Sequence, residues 1–307
     1  MTHLSIVIPL YNESTLISEL IRQVNLSATE VTTDFEVMLI DDGSSDQTWN
    51  QILKLTEKQT NLKGIKLSRN FGHHYAITAG LKNATGEWVV VMDGDLQDRP
   101  EVIPKLYKKA QEGSDIVFVS RINRPEKLYY KIIQKTFYWF LGIMSGIKFD
   151  STQANFSIIN RKVVDAFNDF PESARFYGTT IKWLGFKSTQ IQADHGIRFS
   201  GKPSYTFKKR IKLAADIIIA FSERPLKFAV VLGLLISTSS VIAAIWIIYS
   251  ATNWGYSVTG WASLMFSIFF FSGILLIVLG IVGIYIGRIF QEVKRRPLYL
   301  ISEKANF

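Results

Sequence analysis

Short apolar segments alternate with longer amphipathic segments over roughly the first 120 residues, and this pattern predicts alternating strands and helices. The predicted strands are Leu4–Ile8, Phe35–Ile40, Leu62–Leu67, Trp88–Met92 and Asp115–Ser120. Helices are expected to begin near Ser14, after Ser45 or Asp46 as N-cap, near Ala76 and at Pro100. Strands that alternate with helices at this spacing are typical of a mainly parallel sheet covered on both faces. We therefore predict an α/β fold for this part of the chain.

Polar residues follow the first, second and fourth predicted strands, where ligands bind in open α/β sheets. These residues are Tyr11, Glu13, Asp41, Asp42, Asp93 and Asp95. The first strand lacks the Gly-rich dinucleotide fingerprint, and the sequence has no phosphate-binding P-loop with its Lys. A nucleotide on this sheet would therefore be held by other means.

The fourth strand ends in Asp93-Gly94-Asp95, with Gln97 close behind. Two carboxylates one residue apart can hold a hard divalent cation, and the cation can hold a diphosphate. Gly94 leaves room for a ligand to approach the backbone. The alternative interpretation is an ordinary polar turn, just as the Asp41-Asp42 pair could simply cap a helix. His73, His74 and His195 are interpreted as packing or loop residues, because no second His lies at metal-site spacing.

The C-terminal third has a different composition. From Phe228 to Gly287, about 60 residues, there is no Asp, Glu, Lys or Arg, which is enough for two bilayer crossings of about 20 residues each. Lys and Arg cluster before and after this stretch but not in the loop 251–260, so the positive-inside rule places both chain ends in the cytoplasm. We predict a cytoplasmic N-terminal α/β domain at 1–205, an amphipathic juxtamembrane helix at 206–225, two transmembrane helices at 226–289 and a cytoplasmic tail at 290–307.

Two basic segments precede the membrane hairpin. In 121–140, basic and aromatic residues are interleaved, which suits either an interfacial helix or a solvated helix packed on the domain. In 207–222, apolar residues share one helical face behind a basic start, as expected beside an anionic leaflet. The net charge of +9 is concentrated beside the predicted spans, which argues against nucleic-acid binding. The chain has no Cys, which excludes disulfides and thiolate metal sites.

Several motifs, taken in order, resemble a known family. They are P-L-Y-N-E at 9–13, D-D-G-S-S-D at 41–46, S-R-N-F-G-H at 68–73, D-G-D-L-Q-D-R-P-E at 93–101 and R-F-S-G-K-P-S-Y at 198–205. With the hairpin that follows, they resemble the family-2 glycosyltransferases that act on polyprenyl phosphate. The bactoprenol glucosyltransferases look most similar; the dolichol-phosphate mannose synthases and aminoarabinose transferases look more distant. The resemblance implies a GT-A fold, an NDP-sugar donor, Mg²⁺ or Mn²⁺, and inversion at the anomeric carbon.

The resemblance also assigns residues by their match to the motifs. A catalytic role is implied for Asp93, Asp95 and Arg121, and a metal role for Asp93, Asp95 and Gln97. The residues implied in nucleotide-sugar binding are Pro9, Tyr11, Glu13, Asp41, Asp42, Gly94, Arg198 and Lys202. Those implied in lipid-phosphate binding are Arg121, Lys131 and Lys135. The chain departs from the family at Ser204, where a Lys is usual, and at Asn155, where the glucosyltransferases often have Asp.

The sequence thus predicts transfer of a sugar from an NDP-sugar, with UDP-glucose as the first candidate, to undecaprenyl phosphate at the bacterial inner membrane. The product would serve cell-envelope or O-antigen glycan modification. Donors carrying GlcNAc, GalNAc, mannose or an aminoarabinose-type sugar stay open, as does a membrane-anchored nucleotide-sugar binding module with impaired catalysis. A processive polysaccharide synthase is disfavoured, because the chain lacks a Q-x-x-R-W-type motif and further crossings. Relatives suggest a homotetramer, and membrane lipids are the other expected partner.

Overall fold

The structure is a computed structural model that describes residues 2–122, 136, 142–144, 153–194, 218–219, 222–254 and 260–307. The chain forms two compact units. The first comprises Met1–Tyr138, Phe149–Thr206 and Arg296–Phe307, and the second comprises Trp139–Lys148 and Phe207–Arg295. The predicted juxtamembrane helix at 206–225 lies mostly outside the described residues.

The first unit follows the predicted alternation of strands and helices. Its strands are β1 (Leu4–Leu10), β2 (Phe35–Asp41), β3 (Leu62–Leu67), β4 (Trp88–Val91), β5 (Ile116–Ile122), β6 (Gln153–Asn160), β7 (Ser188–Asp194) and β8 (Ile301–Ala305). Its helices are α1 (Ile17–Thr29), α2 (Thr48–Thr56), α3 (His73–Asn83), α4 (Ile103–Gln111), α5 (Arg161–Asp169) and α6 (Tyr177–Trp183). A 3₁₀ turn, Pro100–Val102, precedes α4 and has Pro100 in its first position. The five predicted strands and four predicted helices are confirmed, with boundaries that differ by a few residues.

The eight strands form one sheet in the order β7-β5-β6-β4-β1-β2-β3-β8. The pairs β1–β2, β1–β4, β2–β3 and β5–β7 are parallel. Strand β6 runs antiparallel to β4 and β5, and β8 runs antiparallel to β3. The predicted mainly parallel sheet is therefore confirmed, and the carboxyl ends of β1, β2 and β4 meet at one edge.

Helices cover both faces of the sheet, because successive strand residues point to opposite sides. On one face Leu4, Ile6 and Ile8 of β1 pack in the cluster that includes α1, α2 and α4. On the other face Val7 packs with residues of α3, α5 and α6. The near-continuous apolar sequences of the central strands thus reflect burial on both sides.

Residues 290–307, which were predicted to be a cytoplasmic tail, supply strand β8 at the edge of this sheet. The Asn306 side-chain amide donates to the backbone oxygens of Gln59, Thr60 and Leu62. Glu303 accepts a hydrogen bond from Trp49 Nε1 at 2.9 Å. Strand β8 therefore closes the edge that β3 would otherwise leave unpaired.

A buried carboxylate, Glu36, links residues near the starts of strands β1 to β4. Glu36 of β2 is 4% exposed and accepts hydrogen bonds from Ser5 Oγ at 2.6 Å, Thr85 N at 2.7 Å and Lys63 Nζ at 2.7 Å. Burial opposes its ionisation, but the bonds from Lys63, Ser5 and Thr85 outweigh burial, so the pKa of Glu36 lies below its usual value. The charged form is thus the one that the fold stabilises.

The lowered pKa of Glu36 should make the free energy of unfolding depend on pH. A depressed folded-state pKa adds stability above the unfolded value of about 4.3, and that contribution is lost as pH falls through the folded-state pKa. We expect Glu36→Gln to lower the thermal midpoint by several degrees at pH 7, since breaking a buried ion pair costs roughly 3 kcal/mol. The gap between variant and wild type should narrow as the pH is lowered toward 3 in melts followed by circular dichroism. A gap that widened on acidification would contradict the assignment.

The second unit contains two long helices, α7 (Arg224–Trp254) and α8 (Trp261–Val293). Arg224–Ile247 and Ser267–Val293 within them are long enough to cross a bilayer and contain 18-residue stretches with mean hydropathies of 2.3 and 2.7. Large apolar side chains are exposed along both, including Phe228 at 65% and Phe269 at 73%. Such surfaces are unfavourable in water, so these helices are candidate membrane spans, as the sequence predicted.

Candidate functional site

The loops that follow β1 and β2 are joined by side-chain hydrogen bonds. Asn12 has a backbone φ of 57°, its N–H donates to Ser44 Oγ at 2.9 Å, and its Oδ1 accepts from Ser45 N at 2.9 Å. Glu13 N donates to Thr48 Oγ1 at 3.0 Å, and Asp46 Oδ1 accepts from Thr48 N at 3.0 Å, at the start of α2. The loops 11–16 and 42–47 are therefore hydrogen-bonded into one surface at the carboxyl edge of the sheet, which we call the wall.

Two of the residues predicted to bind the nucleotide differ sharply in exposure at this wall. Tyr11 is 47% exposed, whereas Asp41, the last residue of β2, is fully buried. Asp41 Oδ1 accepts from Ser44 N at 2.9 Å, while Oδ2 is buried and has no hydrogen-bond partner among the described residues. Burial raises the pKa of Asp41, partly offset by the bonds from Ser44. A buried acceptor without a donor is costly, which marks Asp41 as a place for a ligand N–H or O–H.

Asp42 holds the neighbouring loop in place. Its two carboxylate oxygens accept from Phe71 N at 2.8 Å and Gly72 N at 2.9 Å. Gly43 has a φ of 68°, and a Cβ there would overlap the Arg69 carbonyl carbon. The loop 69–72 thus lies directly against the end of β2, and Asp42 fixes the start of α3. Nucleotide contact by Asp42 stays a prediction.

The loop after β4 carries the Asp-Gly-Asp motif. Asp93 N donates to Asp98 Oδ2 at 3.1 Å, and Asp95 Oδ1 accepts from Gln97 N at 3.1 Å. A Cβ on Gly94 would overlap Leu10 Cδ2 and lie 3.3 Å from Pro9 O, so a larger residue would have to displace the Leu10 side chain, and glycine lets the motif pack closely against β1. Pro9 is therefore a packing neighbour of the motif.

His73, which lies outside the predicted site, contacts both Asp93 and Asn155. His73 Nε2 is 3.2 Å from Asp93 Oδ1, and Asn155 Nδ2 is 3.2 Å from the same His73 nitrogen. The interpretation of His73 as a packing or loop residue missed this contact. Its position as the last residue of the S-R-N-F-G-H motif is the sequence signal that it lies at this edge.

The two adjacent histidines have opposite electrostatic environments. Burial lowers the pKa of His73, but the charge and hydrogen bond of Asp93, followed by the charges of Asp42 and Asp98, raise it above its usual value overall. Burial, together with the charge of His73, lowers the pKa of His74 to about 3. His74 Nδ1 accepts from Tyr177 N at 3.4 Å, so His74 is a neutral packing residue, as predicted.

A cation at this edge would have few protein ligands. Among the described residues, no group of three or more His, Asp or Glu side chains is arranged to hold a metal ion. Asp93 and Asp95 nevertheless offer hard carboxylate oxygens at the strand end, the type of ligand that Mg²⁺ and Mn²⁺ prefer. The residues fit a cation that receives its remaining ligands from a bound diphosphate.

Four predicted site residues, Lys131, Lys135, Arg198 and Lys202, lie outside the described residues. Arg121 is in strand β5, which is separated from β4 by strand β6 in the sheet. The structure thus brings together the predicted groups at the ends of β1, β2 and β4, and the roles of the five basic residues stay predictions.

Several relatives match almost the whole chain. An uncharacterized glycosyltransferase of Synechocystis sp. is 38% identical over 98% of this chain and 95% of its own length. The undecaprenyl-phosphate 4-deoxy-4-formamido-L-arabinose transferase of Photorhabdus laumondii is 30% identical over 97% of this chain and 93% of its own length.

Solved structures show the same fold at low identity. Glucosyl-3-phosphoglycerate synthase from Mycobacterium tuberculosis, in complex with Mn²⁺, UDP and phosphoglyceric acid, superposes with a TM-score of 0.53 at 16% identity. The match covers 71% of this chain and 77% of that one. The predicted GT-A fold is confirmed by this likeness.

The family-level match completes the comparison. The sequence profile described as "Glycosyl transferase family 2" matches residues 5–167, which include β1 to β6, the Asp-Gly-Asp loop and the wall formed by the first two loops. With relatives that extend over nearly the whole length, this match confirms the resemblance: the chain belongs to glycosyl transferase family 2.

Proposed function

We propose that this protein transfers a sugar from an NDP-sugar to polyprenyl phosphate, with inversion at the anomeric carbon. One observation carries the proposal: the Asp41 oxygen that has no hydrogen-bond partner among the described residues, the exposed Tyr11 ring and the Asp93–Asp95 motif share one sheet edge, in a chain that also has two candidate membrane spans. The Photorhabdus relative acts on undecaprenyl phosphate by its name. We propose the same acceptor class here.

The nucleoside would lie at the wall between the first two loops. Asp41 Oδ2 supplies a buried acceptor, which suits an N–H of a nucleobase, and Tyr11 supplies an aromatic surface for its face. The Mycobacterium synthase has been solved with UDP-glucose and Mn²⁺ at a TM-score of 0.50. UDP-glucose is accordingly our first donor, and UDP-linked GlcNAc is the first alternative.

The diphosphate would lie at the end of β4. Asp93 and Asp95, with Gln97 as a further oxygen ligand, would hold Mg²⁺ or Mn²⁺. The cation supplies charge neutralisation for the departing diphosphate. Arg198 and Lys202, when brought to the same edge, would add positive charge to the phosphates.

The acceptor phosphate is already anionic at neutral pH, so it attacks the sugar carbon with little help from a general base. Asn155, where some relatives have a carboxylate, is compatible with this chemistry. Arg121, Lys131 and Lys135 would bind the acceptor phosphate and hold it in line with the bond that breaks. We place the catalytic unit and both chain ends in the cytoplasm of a bacterium, with α7 and α8 in the inner membrane and the chain in a homo-oligomer.

A transfer assay tests the proposal. The full chain in detergent or nanodiscs is mixed with undecaprenyl phosphate, Mn²⁺ and radiolabelled UDP-glucose or UDP-GlcNAc, and lipid-soluble label is counted. We expect label in the lipid fraction that depends on the metal and is released by mild acid. Donor binding with no glycolipid from any tested UDP-sugar would instead favour a nucleotide-sugar binding module.

A further inference from the structure

Asp93 is held at both its backbone and its side chain. Its N–H donates to the buried carboxylate of Asp98 at 3.1 Å, and its Oδ1 is 3.2 Å from His73 Nε2. A carboxylate that faces a histidine nitrogen at this distance has fewer orientations open to it. Such partners of a ligand carboxylate are part of a metal site's design, and their loss typically costs about 10–100-fold in metal affinity or activity.

His73 is itself held from three sides. Asp42 binds the N–H groups of Phe71 and Gly72 immediately before it, which fixes the first turn of α3. The His73 ring packs edge-to-face on His74, with 5.5 Å between centroids. Asn155 of β6 lies 3.2 Å from Nε2, and a half-turn of its amide presents either a donor or an acceptor there.

The exposure of the two side chains agrees with a role in ligand binding. His73 is 34% exposed and Asp93 is 27% exposed, while the Asp93 Oδ1 that faces His73 is itself buried, so both side chains are half-buried at the margin of the site. An ion pair at this exposure contributes little to folding stability. A hydrogen bond that only stabilised the fold would therefore be of small value here.

We propose that His73, oriented by Asn155, is a positioning residue that sets the Asp93 carboxylate for the metal–diphosphate part of the donor. The proposal rests on the proposed function of Asp93. It assigns to this chain a histidine and an asparagine, distant in sequence from the Asp-Gly-Asp motif, as determinants of donor binding.

The experiment measures Mn²⁺ binding in the presence of UDP, without acceptor, by electron paramagnetic resonance of the full chain in detergent. We expect His73→Ala to weaken Mn²⁺ binding by about 10–100-fold with an unchanged thermal midpoint. His73→Gln keeps a side-chain N–H and should recover affinity to within about threefold of wild type. In turnover assays, the Mn²⁺ activation constant should rise in His73→Ala while kcat at saturating Mn²⁺ largely recovers.

Asn155→Ala tests the second part of the proposal. Because Asn155 acts through His73, Asn155→Ala should weaken Mn²⁺ binding less than His73→Ala, and the double variant should match His73→Ala alone. His3→Ala is the matched control, since His3 pairs with Tyr107 and Glu87 at the opposite end of the sheet. It should bind Mn²⁺ as wild type does.

The outcomes are separable. Unchanged Mn²⁺ affinity in His73→Ala, or equal losses in the Ala and Gln variants together with a lower thermal midpoint, would overturn the positioning role. If His73→Ala does not fold, the Gln and Asn155→Ala variants decide the matter by the same readout. A wild-type chain that binds no Mn²⁺ with UDP would refute the proposed function itself.

Discussion

Replacement of Asp95 by Asn is expected to abolish sugar transfer while leaving membrane insertion and the thermal midpoint unchanged. Asp95 lies in the loop after β4, and its Oδ1 accepts a hydrogen bond from Gln97 N at 3.1 Å, which an Asn oxygen can still accept. The substitution therefore keeps this acceptor and removes the negative charge. A cation that neutralises a leaving diphosphate contributes several kcal/mol to the transition state, so the rate should fall by roughly 10³-fold.

Asp165→Asn is the matched control for this prediction. Asp165 is an exposed carboxylate on α5, 3.7 Å from Arg161 and far in sequence from the motif. Its loss should change neither transfer nor Mn²⁺ binding, because exposed ion pairs are worth little. Transfer by the Asp95 variant at a rate near that of wild type, measured at several Mn²⁺ concentrations, would refute the metal assignment.

Truncation of the chain after Arg296 is expected to destabilise the catalytic unit and to abolish transfer. The deletion removes β8, and with it the ladder between Gly64–Leu67 and Ile301–Ala305. It also removes Glu303, which accepts a hydrogen bond from Trp49, and Asn306, which donates to three backbone oxygens in and before β3. At about 1 kcal/mol for each hydrogen bond, the loss is several kcal/mol, or a thermal midpoint lower by about 10 °C.

The effect should reach the proposed site, because Leu300, the residue immediately before β8, supports the loop that precedes His73. Ser68 N donates to Leu300 O at 2.9 Å, and Ser68 begins the segment that Asp42 clamps at Phe71 and Gly72. Removal of Phe307 alone is the control, since that ring is 55% exposed. A truncated protein with an unaltered melting curve would show that β8 is dispensable for the sheet.

Local pattern was sufficient for strands β1 to β5, although it missed β6, which pairs with β4 and β5 inside the sheet. The apolar segments of β1 to β5, their spacing from the helices, and the polar residues at the ends of β1, β2 and β4 were all readable from the sequence. Each of these signals depends on residues within a few positions of one another, and a buried parallel strand has an apolar run as its signature. The two long apolar helices were readable for the same reason.

The strands of the sheet's periphery were not predicted. Strand β7 has alternating half-buried and exposed residues, and β8 reads Ile-Ser-Glu-Lys-Ala, so neither has the apolar signature of a central strand. Strand β8 exists because Glu303 and Asn306 find partners on β3, α2 and the loop before β3. Those partners are more than two hundred positions away in sequence.

The candidate site likewise has some features that follow from local sequence and others that depend on tertiary contacts. By itself, the sequence determined that Asp41, Asp42, Asp93 and Asp95 lie at the carboxyl ends of their strands, because motif and strand are contiguous. Only the tertiary structure decided that Asp42 binds a loop, that Asp41 keeps a buried oxygen with no hydrogen-bond partner among the described residues, and that His73 contacts both Asp93 and Asn155. These contacts depend on the strand order β6-β4-β1-β2-β3, which brings together groups that no local pattern connects.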